Sequence, residues 1–158
     1  MEFTHGARQR GIRVLVGLVV NHTSDQHHWF KAARRDPSSK YRNWYVWSKR
    51  KPSRANRGIV FPGVQKSTWS FDKEARAWYF HRFYEFQPDL NTANPEVQAE
   101  ILKIMGFWIQ LGVSGFRMDA VPFIIAAKGP RVAEGRSNTT CYASFENFCN
   151  GGRATASS

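Results

Sequence analysis

Two short stretches of this chain carry residue types that do chemistry when a fold brings them together. Asn21-His22 closes an apolar run, Ile12 to Val20, and Arg117 and Asp119 close a second, shorter one that begins at Val113. Side chains alternate along a strand, so Arg117 and Asp119 share one face, while Phe116 and Met118 take the other. On a buried face, a guanidinium beside a carboxylate favours the ionised form and lowers its pKa. A carboxylate held ionised at neutral pH can act as a nucleophile. The same spacing also suits an ion pair that only organises a core, and His22 equally suits a satisfied structural histidine. Spacing leaves these alternatives open.

The elements that must position these groups are legible nearby. Residues 2–10 read as the end of a helix, stopped by Gly11. The run from Ile12 to Val20 is nearly continuous and rich in β-branched residues, which suits a strand buried on both faces of a parallel sheet. Asn94-Pro95-Glu96 supplies an N-cap, a first helical residue without an N–H, and an acid for the positive helix end. Val97, Ile101, Ile104, Met105 and Trp108 follow at helical spacing, and Gly112 ends the helix. Val113 to Asp119 is then a second strand. Helix, strand, excursion, helix, strand is the rhythm of an α/β fold built from βα repeats. In such folds functional groups gather at the C-terminal ends of strands.

The excursion from Asn21 to Ala93 is too long for a structureless loop in a compact domain. It contains Trp29, Trp44, Trp47, Trp69 and Trp78, five of the six tryptophans. Thr68-Trp69-Ser70-Phe71 and Ala77-Trp78-Tyr79-Phe80 flank Asp72-Lys73-Glu74, which predicts a β-hairpin with aromatic cross-strand pairs. Trp69, Trp78, Tyr79 and Phe80 could stack on sugar rings, but aromatics more often form the core of a small β-subdomain.

Composition narrows the function classes. The chain has 158 residues, 42% hydrophobic and 22% charged, with net charge +11. This is a globular composition of single-domain size. No apolar run reaches the ~18 residues of a membrane span, and Met1-Glu2-Phe3-Thr4-His5 lacks a basic-then-apolar leader, so no membrane partner and a cytoplasmic location are expected. Between residues 31 and 57, ten Lys and Arg face Asp36 alone. Such a stretch attracts anions, nucleic acid included. No zinc-finger, KH or RRM signature accompanies it, and a solvated basic face is the commoner explanation. Cys141 and Cys149 are expected to be free thiols. Residues 131–158, rich in Gly, Ser, Thr, Asn and Ala, read as a poorly ordered or unrelated tail.

Three segments resemble one known family. Leu18-Val19-Val20-Asn21-His22-Thr23-Ser24 and Gly115-Phe116-Arg117-Met118-Asp119-Ala120-Val121 are similar to signature segments of glycoside hydrolase family 13, the α-amylase family, at the ends of barrel strands three and four. Gln87-Pro88-Asp89-Leu90-Asn91 resembles a further segment near the end of that family's inserted domain B. The stretch Asn21 to Tyr45 is most similar to the trehalose synthase and oligo-α-glucosidase subgroup. The resemblance covers roughly residues 1–130.

The resemblance implies part of a (β/α)8 TIM barrel with an inserted β-rich domain. Residues 1–21 and 94–130 would be barrel segments around strands three and four, and 22–93 the inserted domain. It implies that Asp119 is a catalytic nucleophile forming a glycosyl-enzyme, that Arg117 holds it ionised, and that His22 hydrogen-bonds the sugar. The substrate implied is an α-glucan or α-glucoside such as maltose or trehalose, cleaved with retention or transferred. It also implies a calcium ion between domain B and barrel, with Asn21 and Asp89 among its oxygen ligands, and no other cofactor. Two positions depart from the family. Gly17 stands where an Asp supporting the Arg is usual, and Ala126 stands about where a Glu ligand is common. The acid/base Glu and a further Asp follow later strands, past the recognisable sequence; Glu134 and Glu146 do not match them. A whole barrel takes ~250 residues, so two strands cannot close one, and their edges are expected to be exposed. The chain alone is therefore expected to be inactive. A carbohydrate-binding remnant is the alternative, and a basic nucleic-acid-binding module the less favoured one.

Overall fold

The computed structural model describes residues 2–125 and Lys128. The expected tail, both cysteines, Ala126, Glu134 and Glu146 lie outside the described residues.

Helix α1 spans Glu2–Gln9. Gly11 follows at φ 71°, the left-handed geometry that ends helices, and the Ile12 N–H returns to Ala7 O at 2.9 Å. Strand β1 is Leu15–Leu18. Far along the chain, helix α3 (Pro95–Gln110) leads into strand β5 (Gly115–Met118). Asn94 caps α3 as its type predicts: its Oδ1 accepts the Glu96 N–H at 2.9 Å. Gly112, at φ 88°, turns the chain out of α3, and a Cβ there would lie 2.9 Å from Thr4 Oγ1. That close approach packs α1 against the end of α3, and Thr4 Oγ1 donates to Leu111 O at 2.7 Å.

Strands β1 and β5 pair in parallel, with Gly17 opposite Arg117 and Leu18 opposite Met118. The expectation of burial on both faces of β1 is not met. Leu18 and Val20 are buried in the core, but Leu15 and Val19 are 65% and 55% exposed. Alternation explains the split: one face packs with Val97, Ile101 and Met105 of α3, and nothing described covers the other.

The excursion is folded throughout. Helix α2 (His28–Arg35) begins at His27, whose ring nitrogen accepts the Trp29 N–H at 3.3 Å. A 3-10 turn (Arg42–Trp44) follows, then strands β2 (Trp47–Ser48), β3 (Trp69–Asp72) and β4 (Ala77–Phe80) in an antiparallel sheet ordered β2-β4-β3. The predicted hairpin is present, with Trp69 opposite Phe80 and Phe71 opposite Trp78. Their rings lie 5.3 and 5.5 Å apart. Trp69, Tyr79 and Phe80 are buried, as core aromatics rather than open stacking surfaces. Phe30 of α2 is fully buried against Tyr45, Trp47 and Tyr79, and it joins the excursion to the cluster beneath β1 and α3. A short helix, α4 (Val121–Ile125), follows β5.

Part of the basic stretch is engaged locally. Arg34 pairs with the buried Asp72 carboxylate, tying α2 to the hairpin. The Arg42 guanidinium lies 3.9 Å above the Trp47 ring and donates to Ala33 O. Lys40 and Lys51 lie over Tyr41 and Trp78. Among the described residues no helix is long and apolar enough to cross a membrane.

Candidate active site at the strand ends

The chain leaves β1 through Val20 into Asn21 and His22, and segment 88–90 runs antiparallel across this exit. His22 and Asp89 form an isolated bridge, Leu90 N donates to Asn21 O at 2.9 Å, and Thr23 N donates to Pro88 O at 3.1 Å. These backbone bonds carry Asp89 from the end of the excursion to the end of β1. Asn21 and Asp89 are both fully buried. Asn21 Nδ2 donates to Asp89 Oδ2 at 3.1 Å, and Arg82 N donates to Asp89 Oδ1 at 2.8 Å. A buried carboxylate needs such donors to offset its lost hydration.

Lys128 completes this cluster. Its Nζ lies 3.0 Å from Asp89 Oδ2 and donates to Asn21 Oδ1 at 2.8 Å, to Leu90 O at 3.0 Å and to Asn21 O at 3.1 Å. The contact fixes the Asn21 amide, with its oxygen toward the ammonium and its nitrogen toward Asp89.

That orientation decides the tautomer of His22. Asn21 Nδ2 also approaches His22 Nδ1 at 3.4 Å, so Nδ1 is the acceptor and Nε2 carries the proton. Burial lowers the His22 pKa below its usual 6.5, against the charges of Asp89 and Asp119 and with help from Lys128. His22 is therefore neutral at neutral pH, with one N–H to donate. Phe83 packs edge-on at 5.4 Å between ring centroids.

Asp119 stands one residue past β5. Its N–H extends the ladder to Leu18 O at 3.4 Å, and its Oδ1 accepts the Ala120 N–H at 2.9 Å. Ala120 has φ 56°, a left-handed conformation that costs a residue with a Cβ about 1–3 kcal/mol. It turns the chain sharply into α4, and its carbonyl accepts from Phe123 N and Ile124 N. The carboxylate is thus held on one oxygen by backbone, and among the described residues nothing donates to the other. Asp119 lies close enough to His22 for its charge to act there.

Arg117 and Asp119 do share a face, as alternation requires, but that face is exposed rather than buried. Among the described residues no ion pair joins them. It is the open face that also carries Leu15, Gly17 and Val19. Gly17 sits directly opposite Arg117, and a Cβ built on it meets nothing within 4 Å.

The structure therefore brings Asn21, His22, Asp89 and Asp119 to one end of the sheet, with Arg117 beside them on the open face. Sequence reasoning missed Lys128 and the strained Ala120. Lys128 follows a short helix with no pattern around it, and its partners are up to 107 residues away. The left-handed turn at Ala120 has no glycine to announce it.

As a calcium site the cluster is poorly supplied. Calcium takes six to eight oxygens at about 2.3–2.6 Å, several of them usually charged. Among the described residues Asp89 is the one carboxylate in the cluster, and no group of three His, Cys, Asp or Glu could hold a metal.

Parallel strands ending in a histidine and a carboxylate, with a folded excursion between them, are the arrangement of a βα-repeat fold, in which functional groups gather at the C-terminal strand ends. The family is shown directly: the α-amylase catalytic domain matches residues 1–153, and the chain belongs to that family. The match continues beyond residue 130, where the motif resemblance stops. Trehalose synthase/amylase of Mycolicibacterium smegmatis is 46% identical over 123 residues, 78% of this chain and 21% of that protein. Oligo-1,6-glucosidase of Bacillus cereus is 38% identical over 130 residues, 81% and 23%. Among solved structures, trehalose-6-phosphate hydrolase of Bacillus licheniformis matches with TM-score 0.72 and 35% identity, over 84% of this chain and 27% of that one. The α-amylase of H. orenii matches with TM-score 0.76 and 31% identity, over 96% and 29%. The chain thus spans between a fifth and a third of each of these proteins.

Proposed function

We propose that this chain is the strand-three to strand-four portion of an α-amylase-family catalytic domain acting on α-glucosidic bonds. In this reading β1 and β5 are those barrel strands, and the β2-β4-β3 sheet belongs to the inserted domain. The observation that carries it is the parallel β1–β5 register, which sets His22 and Asp119 at one strand end. Asp119 would attack the anomeric carbon with the oxygen to which no described residue donates, breaking the bond to the glycosidic oxygen, which leaves, and forming a covalent glycosyl-enzyme. His22 would donate from Nε2 to a sugar hydroxyl. Arg117, on the same face, would favour the ionised nucleophile once that face is covered.

Retaining chemistry also needs a carboxyl group ~5–5.5 Å from the nucleophile to protonate the leaving oxygen. Asp89 is unsuited to that role, because it is fully buried and engaged by Asn21, Arg82 N and Lys128. The portion described here therefore supplies the nucleophile without its acid. Hydrolysis, transfer and isomerisation are all open to such a nucleophile, and the similarity to trehalose synthases favours α-glucosides such as maltose and trehalose.

An NMR titration with maltose and trehalose tests the reading. Shifts confined to the strand-end residues, lost in His22→Ala, are expected. No shift at the highest soluble sugar concentration would overturn it. Binding without turnover by the chain joined to its remaining barrel strands would select the second reading, a carbohydrate-binding remnant. Gly17 opposite Arg117 favours that second reading, since it leaves the guanidinium without its usual acid.

A further inference from the structure

We propose that the Lys128 ammonium is the resident cation of the junction between the excursion and the strand ends, standing where the family places a divalent metal. The inference does not depend on catalysis. Three features of the cluster carry it. The first is geometry: among the described residues Nζ has four oxygens at 2.8 to 3.1 Å, from Asp89, Leu90 and both the side chain and the backbone of Asn21. These are hydrogen-bond lengths, well beyond the ~2.3–2.6 Å of calcium coordination. The second is stoichiometry: three ammonium protons can be shared among these four acceptors, whereas the described residues leave calcium at least two oxygens short of its usual shell. The third is charge. Asp89, the one carboxylate that the described residues bring to the cluster, neutralises one ammonium, while a divalent ion there would leave net positive charge beside the fully buried Asn21 and Asp89.

The same contacts give Lys128 a mechanical role. It ties the exit of β1 (Asn21) and the end of the excursion (Asp89, Leu90) to the chain that follows α4. Thr92 Oγ1 adds a neighbouring tie, donating to Ile124 O at 2.9 Å. The cation thus fixes the strand end that presents His22.

The test is a thermal melt of the full chain in EGTA and in excess CaCl2, with terbium luminescence as a direct probe of metal binding. The unmodified chain is expected to melt at the same temperature in both and to give no saturable terbium signal. A metal bound with a Kd one hundredth of its concentration would instead raise Tm by about 5–10 °C. Lys128→Glu, which removes the ammonium and adds a carboxylate, should melt lower in EGTA and recover with calcium. A calcium-dependent rise in the unmodified chain, abolished by Asp89→Asn, would overturn the proposal. So would a Lys128→Ala chain that melts like the original. If the Lys128 variants fail to fold, the calcium titration of the unmodified chain still decides.

Discussion

Replacing Gly17 by Asp should stabilise the β1–β5 pair, and the size of the gain follows from three terms. Gly17 faces Arg117 across the parallel ladder, both are exposed, and a new Cβ meets nothing within 4 Å. Relief of glycine's entropy cost in a strand is worth about 0.5–1 kcal/mol. A cross-strand pair of opposite charges adds roughly 0.2–1 kcal/mol. Asp is a poor strand former, which subtracts part of this on a scale spanning ~1 kcal/mol. The net expectation is a gain of about 0.5–1 kcal/mol, or ~1–4 °C in Tm for a chain of this size. The assay is thermal unfolding of Gly17→Asp, Gly17→Asn and Arg117→Gln, with the double variant carrying Gly17→Asp and Arg117→Gln closing a cycle. Gly17→Asn shares the shape and the poor propensity, so its difference from Gly17→Asp isolates charge. That difference should shrink at about 1 M salt, where the Debye length is near 3 Å. Zero coupling between Gly17→Asp and Arg117→Gln at low salt would refute the register and the absence of an acidic partner for Arg117 among the described residues. A loss of stability would show that the open face is covered in solution.

Two further outcomes are expected. Phe30→Ala should cost about 3–5 kcal/mol, because Phe30 is fully buried where α2, β2 and β4 meet; a loss under about 1 kcal/mol on urea unfolding would place the core elsewhere. Stability should also fall on the acid side. Burial holds His81 below its usual 6.5, and its ring is satisfied when neutral, by Phe83 O and the Ser70 hydroxyl. As pH falls below 6.5 the unfolded chain takes up the proton first, so stability present above that value is lost toward the lower folded pKa. His22 and His27 shift in the same direction. A Tm that stays flat as pH drops from neutral to about 5 contradicts this.

Much of this fold is legible where local chemistry decides it. Asn94-Pro95-Glu96 sets the start of α3 because cap, missing N–H and helix-end charge all act within one turn. The β3–β4 hairpin is legible because aromatic residues recur on matching faces. Tertiary context decides the rest. The apolar run around β1 reports what could cover that strand, and β5 alone pairs with it among the described residues, so Leu15 and Val19 remain open. The expected Arg117–Asp119 ion pair fails for the same reason: a shared face gives a buried pair only when something buries the face. Asn21 and Asp89 were legible as a pair through their motifs. Lys128 was not, because only the folded chain brings it to them.

Turnover tests the central claim most directly. As proposed, Asp119 is a nucleophile for which the described residues supply no acid. The purified 158-residue chain, incubated with maltose or with an aryl α-glucoside, is then expected to release neither glucose nor phenol above the rate of Asp119→Asn. Steady release that vanishes in Asp119→Asn would contradict it, because the chain would then contain a complete site.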